Sequence, residues 1–225
     1  MIPPLIVREA LEHEINLIAI TDHNACENVK AVQKAASGSG LVIMPGMELQ
    51  TKEDIHSICL FDRFEQVEAL QAMVKKHLPR IKNNPDFFGE QYIVDETGNL
   101  IRSEEQLLIL STDLSLTEAW QYVNELGGLF IPAHVDRKAF GLFSSLGMIP
   151  TDFPIDALEI SRFINPDKAL KTFPQLSGYP LIQNGDVHGL AEFLGSTTYY
   201  LAEPTINELR KAFLGVDGRN FSIVG

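Results

Sequence analysis

The chain has 225 residues, with 18 Lys+Arg against 30 Asp+Glu and a formal net charge of −12. That length suits one large domain or two small ones, and a composition of 45% hydrophobic and 21% charged residues excludes disorder. No apolar run approaches the roughly 18 residues of a membrane span, and the acidic balance argues against an extended nucleic-acid surface, which needs clustered Lys and Arg.

Pro3-Pro4 followed by residues 5–14 predicts a helix entered through proline, which costs little in a first turn. Leu17–Ile20 reads as a buried strand ending at Thr21-Asp22-His23-Asn24. Residues 25–36 predict a helix stopped at Ser37-Gly38-Ser39-Gly40, and residues 41–44 a strand closed by Pro45-Gly46-Met47-Glu48. A strand over 57–61 and a helix over 64–77 follow. Residues 79–115 then break the rhythm. Pro79, Asn83-Asn84-Pro85 and Gly89 are loop signals, and Tyr92–Val94, a turn over 95–99 and Leu100-Ile101 form a hairpin pattern. This stretch is too small for a core of its own, so it is an insertion within a single domain, 1–225.

The alternation resumes with a helix over 117–126. Leu129-Phe130-Ile131 leads into Pro132-Ala133-His134, residues 157–160 lead into Ser161-Arg162, and Leu181-Ile182 leads into Asn184-Gly185-Asp186-Val187-His188. A helix over 205–213 and a strand over 220–224 close the chain. Strands alternating with helices predict an α/β fold with a parallel sheet or barrel, whose sites gather at the strands' C-terminal ends. Cys26 and Cys59 give no disulfide framework and suit a reducing cytosol. The start, Met-Ile-Pro-Pro-Leu, lacks the features of a signal peptide, so a cytoplasmic location is expected.

Several of these strands end in residues able to bind metal or move protons: Asp22 and His23, Glu48, His134, then Asp186 and His188. Parallel strands bring them to one rim, where three histidines and three carboxylates need a cation to join them. Imidazole with carboxylate suits Zn²⁺, Mn²⁺ or Fe²⁺. Glu48 is the candidate bridge between two ions. His56 starts an apolar run, so it must reach the rim from an antiparallel strand or a loop. Each residue alone also has a plain reading: Asp22 as a helix cap, Glu48 as a partner of a surface lysine, Asp186 in an Asx-turn. His13 and His77 lie inside helices as solvated residues.

Taken in order, Thr21-Asp22-His23-Asn24, Pro45-Gly46-Met47-Glu48, His56-Ser57-Ile58, Ala133-His134 and Gly185-Asp186-Val187-His188 resemble the motifs of the polymerase-and-histidinol-phosphatase (PHP) family of metal-dependent phosphoesterases. The resemblance implies a distorted (β/α)₇, TIM-like barrel with up to three metal ions at the strand ends. It implies that Glu48 bridges two ions, that His56 and His134 complete one of those sites, that Asp186 serves the other, and that His23 and His188 hold a third. The implied chemistry is hydrolysis of a small phosphomonoester or nucleotide, with Asp22 and Glu48 as catalytic groups. By position, Arg137, three after His134, and Arg162, after the strand over 157–160, are candidates to grip phosphate, Lys138 less so, against the plain reading of all three as surface charges.

The family's first motif, His-x-His, occurs nowhere in these 225 residues. The expectation is a barrel short of its first strand, through initiation at an internal methionine of a longer frame, a trimmed chain, or natural loss. Fewer ions and weak activity follow, with the full-length parent active. Leu17–Ile20 becomes an exposed edge able to pair with a second copy. The alternative is a non-catalytic metal-binding or interaction domain on the same fold. An amidohydrolase reading fits less well, since no lysine ends a predicted strand.

Overall fold

The computed structural model describes residues 1–151 and 154–224. In chain order the elements are α1 (Pro3–Glu12), β1 (Leu17–Ile20), α2 (Val29–Ala35), β2 (Val42–Gln50), β3 (His56–Leu60), α3 (Phe64–His77), α4 (Pro85–Phe88), β4 (Tyr92–Val94) and β5 (Leu100–Ser103). They continue as α5 (Leu116–Glu125), β6 (Leu129–Pro132), α6 (Leu142–Leu146), β7 (Leu158–Ile160), α7 (Pro166–Thr172), β8 (Leu181–Gln183), β9 (Thr197–Tyr200), α8 (Ile206–Leu214) and β10 (Asn220–Ile223).

The main sheet has the order β1-β2-β3-β6, followed by the pairs β7-β8 and β9-β10, with the hairpin β4-β5 separate. β1 runs parallel to β2, and β7 parallel to β8. The expectation of uniformly parallel strands is corrected at β3, which is antiparallel to both β2 and β6. The reason is connection length. Only residues 51–55 separate β2 from β3, far short of the dozen or so that a parallel crossover needs. The strands follow one another as a mixed α/β assembly, and among the described residues their hydrogen bonds do not close a barrel.

A second correction concerns residues 45–48, which continue β2 and do not end it. β2 changes partner at this point. Val42 to Pro45 pair with Leu17 to Ile20, while Gly46 to Gln50 pair with Leu60 to His56. Pro45, which lacks an N–H, sits at the end of the first ladder, and its carbonyl accepts from Phe61 N–H at 2.9 Å. Gly46 is needed for close approach: a Cβ there would stand 2.8 Å from Thr21 Cγ2 and 3.1 Å from the Cys59 carbonyl oxygen. Glu48 is therefore held within a strand, a more rigid seat than the turn expected from the sequence.

The strands are apolar on both faces because helices cover both. Phe130 joins a cluster with Met47, Cys59 and Phe61 beneath α3 and α5. Its neighbours Leu129 and Ile131 join Met44, Ile182 and α8. Ser115 caps α5, accepting from the Glu118 N–H while the Glu118 carboxylate accepts from the Ser115 N–H, a reciprocal capping box. β1 is an outer strand with β2 as its hydrogen-bonded neighbour, but its edge is not the bare one expected. Its residues are all half-buried, and Ile18 and Ile20 share a cluster with Val187, Leu190 and Phe193 from the segment after β8. No helix among the described residues is long and apolar enough to cross a membrane.

Candidate metal centre

Glu48 sits at the middle of the site. An isolated parallel bridge joins His23 to Glu48, with Asn24 N–H donating to the Glu48 carbonyl at 2.9 Å and Glu48 N–H to the Asp22 carbonyl at 3.2 Å. This extends the β1-β2 register beyond the strand and places His23 Nδ1 3.2 Å from Glu48 Oε2. From the antiparallel side, His56 opens β3 and lies with Nδ1 3.0 Å from Glu48 Oε1. His134, just after β6, approaches the same oxygen with Nε2 at 3.4 Å. The route foreseen for His56, entry from an antiparallel strand, is the one the fold provides. A face of Phe140 stacks on the His56 ring at 4.4 Å between centroids.

His23, Glu48 and His56 bring three donor atoms within 4.8 Å of one another, a grouping able to hold a metal ion. Two further observations fit such an ion. His23 Nδ1, 3.2 Å from Glu48 Oε2, is buried and makes no hydrogen bond, and buried polar atoms are seldom left so. The donor set, neutral imidazole with a carboxylate, also suits a first-row divalent ion. Asp186 and His188 stand alongside: the His188 ring centroid is 6.2 Å from that of His23, and its Nδ1 is 3.1 Å from the Asp186 carbonyl and 3.6 Å from Asp186 Oδ1.

The electrostatics follow from this crowding. Burial alone raises the Glu48 pKa, but hydrogen bonds with His134 and His56 and the charge of His23 outweigh it and hold the carboxyl well below its usual range. Burial lowers His23, overriding the pull of Glu48. At His134 burial also opposes protonation, yet the Glu48 hydrogen bond and the charge of Glu159 win and raise its pKa. A ligand must be unprotonated to bind metal, so an ion competes with a proton at His134. Divalent-metal affinity is expected to rise between about pH 6 and 8, across and above the ordinary histidine value. Calorimetric titration in buffers of different ionisation heat should show proton release on binding. An affinity flat over that range, with no proton released, would remove His134 from the ligand set.

The phosphate-gripping candidates divide. Arg137 reaches the rim but donates to Asp186 Oδ2 at 2.9 Å, so the two residues assigned separate roles from sequence face each other. Arg162 is spent on the loop that carries Asp186 and His188, donating to the carbonyls of Gly185 and Glu192 at 3.1 and 3.3 Å and to Glu192 Oε1 at 3.4 Å. Lys138 is exposed. Outside the site, His77 Nδ1 lies 2.6 Å from Asp113 Oδ1, and His13 Nδ1 lies 2.9 Å from the Glu9 carbonyl.

The insertion supplies what the sequence did not disclose. Asn24, with φ +50°, donates to the carbonyls of Leu108 and Leu110 at 2.8 and 2.9 Å and so binds the insertion to the β1 end. This anchoring also delays α2, which begins at Val29 and not near 25. Between the two lies a cleft of about 220 Å³ beside His23, walled by Asp22 and Ala25 on one side and by Tyr92, Ile93, Leu108 and Ile109 on the other. Asp22 thus faces the cleft, where Asn28 Nδ2 donates to its Oδ2 at 3.3 Å. A second residue went unassigned: Glu159 of β7, buried against the backbone of His134, where burial pushes its carboxyl up to about 7.

No family model matches the chain. Over 117 residues, 49% of the chain, it is 32% identical to the uncharacterized protein YqxK of Bacillus subtilis, a stretch covering 29% of that protein. Among solved structures it is similar to the lesion-specific endonuclease PfuEndoQ from Pyrococcus furiosus, with a TM-score of 0.71 and 21% identity over 98% of this chain and 53% of that one. An Endonuclease Q complex with a 27-mer duplex bearing an abasic lesion at the active site matches with a TM-score of 0.70 and 22% identity, again over 98% of this chain and 53% of that one. The chain is also similar to a protein from Bifidobacterium adolescentis classed as a metal-dependent phosphoesterase, with a TM-score of 0.59 and 16% identity over 93% of this chain and 89% of that one. The chain therefore spans about half the length of the endonuclease, and its match covers less than a third of YqxK. At these identities the likeness establishes the fold, which is shared with metal-dependent phosphoesterases.

Proposed function

We propose that this chain carries the metal-dependent phosphoesterase site of a PHP-type protein, on a barrel of the distorted (β/α)₇ kind. The observation that carries the reading is the Glu48 carboxylate set among His23, His56 and His134, with the buried His23 Nδ1 beside it making no hydrogen bond. When bound, a divalent ion there supplies charge neutralisation at phosphate and an activated water. The chain's own residues do the rest. Glu48 and the three imidazoles fix the ion's place on strand ends, and Asp186 and His188 extend the donor set toward Arg137. Arg137 exchanges its contact with Asp186 for a phosphate oxygen, a charge-assisted contact of the kind arginine makes best. The cleft beside His23 receives the part of the substrate attached to phosphate, with Asp22 at its wall.

The substrate is a small phosphomonoester or a nucleotide. The Endonuclease Q complex adds a polynucleotide as a third candidate to test, against the acidic balance of this chain. A second, non-catalytic reading is favoured by the Arg137–Asp186 ion pair, which engages a carboxylate otherwise free for metal. One experiment separates them. The purified chain, stripped with chelator and reloaded with Mn²⁺, Zn²⁺ or Fe²⁺, is assayed on a phosphomonoester, a phosphodiester, nucleotides and an abasic duplex. Metal-dependent turnover that chelator abolishes is expected, and Arg137→Ala should raise KM with little change in kcat. Metal binding with no turnover on any substrate selects the non-catalytic metal-binding reading, and no metal binding at all overturns the phosphoesterase proposal.

A further inference from the structure

We infer that Glu159 is the positioning residue of this centre: one buried carboxylate holds both of the turns that carry His134 and Asp186. The inference rests on the metal-site reading above and concerns a residue that touches none of the candidate donor atoms. Glu159 lies on β7, 3% exposed, between the strand ends that deliver the two residues. Its Oε2 accepts the backbone N–H of His134 at 2.9 Å. Its Oε1 accepts Asn184 Nδ2–H at 2.7 Å, two residues before Asp186.

These two turns need such a clamp. His134 has φ +29° and Asp186 φ +47°, left-handed backbone at residues that are not glycine. Such conformations persist where surrounding contacts over-determine them. The His134 turn is tied to β7 elsewhere, through Val135 N–H to the Glu159 carbonyl at 2.9 Å and through Ser161 N–H and Oγ–H to the Asp136 carboxylate, each at 2.6 Å. Those contacts fix the turn to β7 alone. The Glu159 carboxylate also couples it to the Asn184–Asp186 turn from the buried side, as the part-exposed Arg137–Asp186 pair does at the rim, so it helps set how far the His134 side of the centre stands from the Asp186 side. Partners of this outer kind orient metal ligands, and their loss commonly weakens metal binding by about 10–100-fold.

Both oxygens act as acceptors, and a glutamine can replace them. Its Oε1 accepts from His134, and its Nε2 donates to the Asn184 side chain once that amide turns to present Oδ1. An alanine can do neither. The test is Co²⁺ binding, followed by visible absorption, in the wild-type chain, Glu159→Ala, Glu159→Gln and Asn184→Ala, with circular dichroism to establish folding. Glu159→Ala is expected to bind Co²⁺ about 10-fold or more weakly and with an altered spectrum, and Glu159→Gln to restore both. Asn184→Ala should alter the spectrum while leaving the His134 tether in place. A folded Glu159→Ala with wild-type affinity and spectrum overturns the inference. Should that variant not fold, an unchanged spectrum in Asn184→Ala overturns it equally. A wild-type chain that binds no Co²⁺ overturns the metal reading itself, whereas normal binding in all variants overturns only the positioning role.

Discussion

Glu48→Ala is expected to abolish divalent-metal binding, with a loss larger than the ~10–100-fold that follows removal of an outer partner. The expectation comes from position. Glu48 is the carboxylate that His23, His56 and His134 all approach within 3.4 Å, and its removal leaves three imidazoles with no anion among them. Metal-dependent turnover should vanish with it. The same substitution has a signature without metal. A carboxyl held below its usual range contributes stability that is present above about pH 4.5 and is lost as pH falls through the lowered value. The acid limb of the wild-type stability profile should therefore be steeper than that of Glu48→Ala. Isothermal titration reads the first effect and thermal melts across acid pH read the second. Retained metal affinity in a folded Glu48→Ala would show that Glu48 is not a ligand.

Gly128→Ala is expected to be strongly destabilising. Its Cβ would stand 2.3 and 2.7 Å from two ring carbons of Phe61 and 2.9 Å from the Leu60 carbonyl oxygen. Phe61 is 0% exposed, and its N–H is bonded to Pro45, so the ring has nowhere to retreat. Overpacking of this kind costs about 1–3 kcal/mol and occasionally more. For a domain of this size a 3 kcal/mol loss lowers Tm by roughly 6–12 °C. The strain falls where Leu60 pairs with Leu129 and where β2 changes partner, so the metal centre should loosen too. Adding Phe61→Leu should recover part of the loss. A Tm unchanged in Gly128→Ala would mean that β3 and the α5-β6 turn can part cheaply.

The sequence was most legible where periodicity and punctuation agreed. The capped helix α5, the hairpin around 95–99 and the polar residues following β1, β6 and β8 all stand within a few residues of expectation. Misreadings arose where one residue served two partners. Pro45-Gly46 looks like a turn because proline lacks an N–H, yet it marks the place where one strand passes from a parallel to an antiparallel neighbour. β9, Thr197–Tyr200, carries strand-favouring threonine and tyrosine but no apolar run, so attention to apolar runs alone passes over it. Glu159 was hidden for a related reason. A glutamate between Leu158 and Ile160 reads as the solvent-facing position of an alternating strand, and only the turns after β6 and β8 show what it faces. The Arg137–Asp186 pair likewise joins residues 49 positions apart, which no local pattern records.

The ends of the 79–115 segment meet: Asp113 N–H donates to the His77 carbonyl at 3.0 Å, so the chain leaves at the foot of α3 and returns there before α5. A segment with adjoining ends is exchangeable, because bridging so short a gap costs the chain little entropy. One wall of the cleft is thus a replaceable part, while Glu48 and His56 stay seated on strands and His134 on the turn that follows one. Under the function proposed above, what is recognised can then change without disturbing how a cation is held, and the two properties can be inherited separately.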